Sequence, residues 1–177
     1  MQRRTLIKKL ILVSGGALFL PSCLQHDVRS SLIFNKINID GNHEKLLSEL
    51  AETLIPADGT PGAKEVSAHL FALTMINDCY KKEEQDQFIA GMKAFEAKTK
   101  KQFGKTFIDC NIFEKETFLT DLESGAKDNP DIDYFYTTYK RLIIQGYTTS
   151  KYFLTKIQVY ELVPGHFYGC VPVKKAS

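Results

Sequence analysis

No stretch of this 177-residue chain stays apolar long enough to cross a bilayer as a helix, which takes roughly 20 residues. The longest apolar run, Leu10 to Leu20, is interrupted by Ser14, Gly15 and Gly16, so a permanent transmembrane helix is not expected. Histidine is scarce. His26, His43, His69 and His166 form no H-x-x-x-H or H-E-x-x-H pair, and the strong zinc signatures are therefore missing. No G-x-S-x-G elbow supports nucleophilic catalysis, and no G-x-G-x-x-G after a strand supports a dinucleotide fold. C-x-x-C redox pairs and C-x-x-C-H haem attachment are absent too, as are internal repeats, low-complexity tracts and hairpin signatures.

What is present begins with a leader. Met1-Gln2-Arg3-Arg4-Thr5-Leu6-Ile7-Lys8-Lys9 is a basic segment, followed by the short apolar run and then Leu20-Pro21-Ser22-Cys23. That order is the layout of an export signal. The paired Arg3 and Arg4, followed by apolar residues and a lysine before a weakly hydrophobic stretch, are similar to a twin-arginine signal and imply passage through the twin-arginine translocase. The run ending at Cys23 is similar to a lipobox, in which the cysteine carries a diacylglycerol and becomes the first mature residue. The expectation is an exported, periplasmic lipoprotein held at a membrane by its lipid anchor. The domains follow as a signal peptide over 1–22, a tether over 23–42 and a helical domain over 43–177.

Removing the leader changes the charge balance. Of the 23 lysines and arginines, four (Arg3, Arg4, Lys8 and Lys9) lie in it, leaving 19 against 21 acidic residues and a formal net charge of −2. No basic patch remains to argue for nucleic acid. Beyond Cys23 the cysteines are Cys79, Cys110 and Cys170. An oxidising compartment permits one disulfide among them and leaves an odd thiol, but their spacing does not select the pair.

Hydrophobic periodicity is helical almost throughout the body. Leu46, Leu47, Leu50 and Leu54 share one face, ended by Pro56 and the loop Asp58-Gly59-Thr60-Pro61-Gly62. A second helix is expected from Ala63 to Tyr80, with a face broad enough for neighbours on more than one side. A third runs from Lys82, with Glu83 and Glu84 at the positive end of its dipole, to Phe103-Gly104. Asn111 and Glu114 form a capping-box variant opening a fourth helix through Phe113, Phe118, Leu119 and Leu122 to about Ser124. Asn129-Pro130 is a cap and first-turn pair for a fifth, whose stripe continues to Gly146. A break at 147–150 leads to a short helical piece over 151–156 and an irregular C-terminal arm. The tether includes a short extended piece from Leu32 to Ile39. The fold class is all-α, a single bundle of about five helices.

Reactive groups are not gathered. Glu83-Glu84 and Asp131/Asp133 sit where helix starts favour negative charge, and His69 reads as a boundary or capped histidine on an apolar helix. The catalytic, cofactor-binding and metal sites are accordingly expected to be absent from this chain. Aromatics crowd the chain after residue 130, and those with one polar end suit an interface. Tyr147, Tyr152, Tyr160, His166, Phe167 and Tyr168 are the candidate partner-contact residues.

Glu52-Thr53-Leu54-Ile55-Pro56, Thr60-Pro61-Gly62-Ala63, Gly146-Tyr147-Thr148-Thr149-Ser150, Val163-Pro164-Gly165 and Gly169-Cys170-Val171-Pro172 together resemble the subunit 3 (gamma) family of gluconate 2-dehydrogenase. The resemblance covers about Glu44 to Val173. It implies association with a large FAD-dependent dehydrogenase of the glucose-methanol-choline type, often with a cytochrome c subunit that carries haem, acting on sugars or sugar acids at the periplasmic face. The small subunit would bind no flavin itself, lack activity alone, and assist export and maturation of the catalytic subunit. A lipobox departs from the simplest family pattern and adds membrane attachment. A stand-alone surface lipoprotein that binds a small ligand or an unrelated protein is the competing reading, and an adjacent gene for a large flavoprotein separates the two.

Overall fold

The computed structural model describes residues 30–124, 129–158 and 169–170. Five α-helices account for most of them: α1 (Gly41–Leu54), α2 (Ala68–Cys79), α3 (Lys82–Phe103), α4 (Ile112–Ser124) and α5 (Pro130–Thr148), followed by a one-turn π-helix at Phe153–Ile157. No strand occurs among the described residues. The all-α bundle expected from periodicity is the architecture observed.

Local chemistry sets most helix starts. Asp40 caps α1, its carboxylate accepting from the backbone N–H groups of Asn42 and His43 at 2.9 Å each. At α4 the Asn111 side chain accepts from Glu114 N–H at 2.9 Å while the Glu114 carboxylate accepts from Asn111 N–H at 2.8 Å, a reciprocal capping box. Asn129 caps α5 through Asp131 N–H at 2.9 Å, with Pro130 at the first helical position.

Three expectations need correction. The helix expected from Ala63 begins at Ala68, because Ser67 takes a left-handed conformation (φ 57°) that breaks helical continuity. Helix α5 runs past Gly146 to Thr148, its backbone ladder closing where Thr149 N–H donates to the Gln145 carbonyl at 3.0 Å. The stretch assigned to a tether also contributes to the core. Ile37 and Ile39 are buried, Phe34 packs against the core, and Lys36 N–H donates to the Asn77 side chain at 3.0 Å. The irregular C-terminal arm expected beyond the π-helix lies outside the described residues, apart from Gly169 and Cys170.

Helix α5 is the hub. It packs most extensively on α3 and α2 and also touches α1. Its buried face, Ile132, Phe135, Tyr136, Tyr139, Leu142 and Ile143, meets Phe88, Met92 and Phe95 from α3. Rings link the helices: Phe88 to Phe135 at 5.0 Å, Phe95 to Phe135 at 5.5 Å, and Phe95 to Phe118 of α4 at 5.1 Å. Such tilted and edge-on pairs add about 0.5–1.5 kcal/mol each beyond area burial. The Tyr139 hydroxyl, fully buried, donates to the Leu47 carbonyl of α1 at 2.6 Å, so that hydroxyl is satisfied. Much of the aromatic density after residue 130 therefore belongs to the core.

Candidate functional site

The connection between α1 and α2 is folded tightly against two side chains. Glu52, near the end of α1, accepts from the backbone N–H groups of Ala57 at 3.0 Å and Lys64 at 3.2 Å. Between them Ala63 is fully buried, its N–H bonded to the Ile55 carbonyl at 2.9 Å. Gly62 passes so close that an added Cβ would lie 2.6 Å from a Glu52 carboxylate oxygen and 2.7 Å from Ala57 N. From the far side, the Tyr147 hydroxyl of α5 donates to the Pro61 carbonyl at 2.9 Å.

This brace brings the α1–α2 loop to the C-terminal end of α5. There Gly146 lets α5 approach α2: a Cβ at that position would sit 2.8 Å from Phe71 Cδ1. The Thr149 hydroxyl bonds the Gln145 carbonyl at 2.8 Å, and Ser150 Oγ accepts from Phe153 N–H at 3.2 Å, turning the chain into the π-helix. Tyr147 and Phe153 meet edge to face at 6.0 Å. The result is a cleft of about 500 Å³ whose walls include Pro61, Val66, Phe71, Gly146 and Tyr152, with Glu65 and Lys151 supplying charge of both signs. A cleft that mixes apolar walls with polar and charged groups suits contact with a protein segment.

Two further grooves exist. One of about 460 Å³ lies between α4 and α5, where Glu123 accepts from the Tyr136 hydroxyl at 2.6 Å and from Lys140 at 2.5 Å. The Lys140 bond, then the Tyr136 bond, hold the Glu123 carboxyl below its ordinary range, and burial pushes the Tyr136 phenol up. The other, about 300 Å³, lies between the end of α1 and the start of α4, beside Ile112. Its Glu49 is paired with Lys64 at 2.5 Å and Lys115 at 3.2 Å, and the Lys64 bond leads in lowering its pKa. Phe113, in the first turn of α4, is 73% exposed. It precedes Phe118 by five positions, off the three-to-four spacing of a helical face.

The candidate residues divide accordingly. Tyr152 is a wall of the braced cleft, whereas Tyr147 lies outside its lining with its hydroxyl committed to Pro61. Tyr160, His166, Phe167 and Tyr168 lie outside the described residues, as do Arg3, Arg4 and Cys23. Cys79, Cys110 and Cys170 are each free in the structure. Cys110 is buried and donates its S–H to the Thr106 carbonyl at 3.3 Å, and burial raises its pKa, favouring the thiol over the thiolate. His69 is buried with Nδ1 unpartnered, and burial lowers its pKa. No group of three or more metal-ligating side chains is assembled among the described residues. Sequence reasoning missed the clamp by Glu52, although Glu52 heads a motif with a loop glycine ten residues on.

Comparison with known proteins identifies the family. The family model described as gluconate 2-dehydrogenase subunit 3 matches residues 42–165, more than half of the chain, and takes in Glu52, Gly62, Gly146 and Tyr147. Neither the curated proteins nor the solved structures give a match.

Proposed function

Because the chain belongs to the gluconate 2-dehydrogenase subunit 3 family, we propose that it is the non-catalytic small subunit of a periplasmic FAD-dependent dehydrogenase for sugars or sugar acids. In this reading it assists export, maturation and membrane attachment of the catalytic subunit. The flavin sits in that large glucose-methanol-choline type partner, and a cytochrome c subunit with haem completes the complex where one is present. Arg3 and Arg4 address the pair to the twin-arginine translocase, which carries folded cargo, so one signal serves two chains. Cys23 supplies the lipid anchor after cleavage.

The observation that carries the reading is the family match over residues 42–165, because the motif residues within it are the ones that shape one surface. Glu52, Gly62, Gly146 and Tyr147 each hold the loop, α2 or α5 in place around the cleft. A surface built by such bracing is suited to recognition, and Tyr152, with its apolar ring and polar tip, is the residue expected to meet the catalytic subunit.

Export provides the test. In cells that make the dehydrogenase, replacing Arg3 and Arg4 together by lysine should strand the flavoprotein in the cytoplasm and remove substrate oxidation from the periplasmic fraction. Normal periplasmic activity with the double-lysine chain, or with the chain deleted, would contradict the escort role.

A further inference from the structure

The segment before α1 is tied down on both sides of an exposed apolar pair. Ser31 is held by Glu44 of α1, whose carboxylate accepts from both the Ser31 backbone N–H and its hydroxyl at 2.5 Å. Three residues past Ile33, Lys36 N–H is held by the Asn77 side chain at 3.0 Å, and Phe34, Ile37 and Ile39 pack into or against the core. Within that anchored stretch Leu32 is 41% exposed and Ile33 is 91% exposed. A mobile tether would make an exposed isoleucine unremarkable. Here neighbouring residues are fixed from both sides and the isoleucine is turned outward, so the fold itself displays it.

Chain length says what lies opposite. Cys23 is seven residues before Ser30, and seven residues span at most about 25 Å. If Cys23 carries acyl chains, Ser30 is confined to within that reach of the bilayer and Ile33, ten residues from Cys23, to within about 36 Å. Lys36, three residues beyond Ile33, is exposed and carries charge of the sign that attracts phosphate headgroups, while the nearby Glu44 carboxylate is taken up by Ser31. A lipid chain together with a second membrane contact binds more firmly than either alone.

From these observations we infer that Leu32 and Ile33 form a membrane-contacting tip that enters the boundary between headgroups and acyl chains and fixes the orientation of the bundle on the bilayer. The inference rests on the membrane attachment proposed above for Cys23. With the tip seated, the N-terminal end of α1 faces the membrane. The opposite end of α1, where Glu52 braces the loop beside the cleft, is carried away from it and stays open to a partner in the periplasm.

The chain contains no tryptophan, so a single introduced one reports its own surroundings. The full exported protein carrying Ile33→Trp is mixed with vesicles of phosphatidylethanolamine and phosphatidylglycerol, with and without brominated acyl chains, and the mass of its N-terminal peptide is measured in parallel. The expected result is a blue-shifted emission quenched at least two-fold by brominated lipid, with Phe113→Trp, near the opposite end of α1, quenched far less. Lipid on Cys23 with no quenching at position 33 would overturn the tip while leaving the anchor intact. Quenching at position 33 without lipid on Cys23 would support the tip and remove the covalent anchor. Neither lipid nor quenching would overturn both. Equal quenching at positions 33 and 113, or a blue shift produced only by adding the dehydrogenase subunit, would also overturn the tip, the latter by assigning it to a protein contact.

Discussion

At the scale of single residues, the cleft depends on a few polar contacts whose loss has a predictable sign. Tyr147→Phe removes one hydrogen bond to Pro61 and should cost about 1 kcal/mol in urea unfolding, with the helical signal unchanged. Glu52→Ala leaves the N–H groups of Ala57 and Lys64 without their acceptor and should cost more, about 1–3 kcal/mol. His69 links stability to pH. Burial lowers its folded pKa below the ordinary 6.5, so the unfolded chain takes up the proton first as pH falls. Its contribution is complete above 6.5 and declines as pH drops through that value toward the folded pKa. Urea titrations at pH 7.5 and 5.5 should show that decline in the native chain and a smaller one in His69→Leu. Glu49 acts in the same direction in a lower window: its folded carboxyl lies below 4.5, held there chiefly by Lys64, so its contribution persists until pH falls beneath that value. These roles were hidden in the sequence for a physical reason. Glu52 and Tyr147 act on atoms brought near by folding, and His69 is an ordinary helix residue until its neighbours bury it.

Elements were easier to read than contacts. The caps at Asn111 and Asn129 depend on residues two or three positions away, so the starts of α4 and α5 follow from local sequence. The start of α2 does not, because Ser67 adopts its left-handed conformation in a loop clamped from α1 and α5. The same distinction accounts for Ile37 and Ile39. Their alternation reads as an extended piece, but their burial depends on helices that follow them in the chain. Close approach of helices was likewise illegible. At Gly91 of α3 a Cβ would come within 2.1 Å of the Asp131 carbonyl oxygen in the first turn of α5, which only backbone movement could relieve. Gly91→Ala should therefore lower stability by about 1–3 kcal/mol despite its better helix propensity, read as a fall in thermal midpoint. An unchanged or higher midpoint would mean that the α3–α5 contact is less tight than the structure gives.

For the whole molecule, the helices supply a packed core, and the cleft lies where the α1–α2 loop meets the end of α5. The fold class was legible because amphipathic periodicity is a property of each segment, while the cleft required the α1–α2 loop, α2 and α5 to converge. The family relationship gives the chain its place among the subunits of a gluconate 2-dehydrogenase type complex; the proposed division of labour puts substrate chemistry in the flavoprotein and attachment in this bundle. The most direct test is the flavin bound per tagged chain after affinity purification from cells that also make the dehydrogenase, comparing the native chain with Val66→Glu in the cleft wall. The account predicts flavin absorbance in the native eluate and at least a ten-fold loss in Val66→Glu, with both chains melting cooperatively. A native chain recovered without flavin would contradict the central claim, and equal flavin in both eluates would move the docking site away from the cleft.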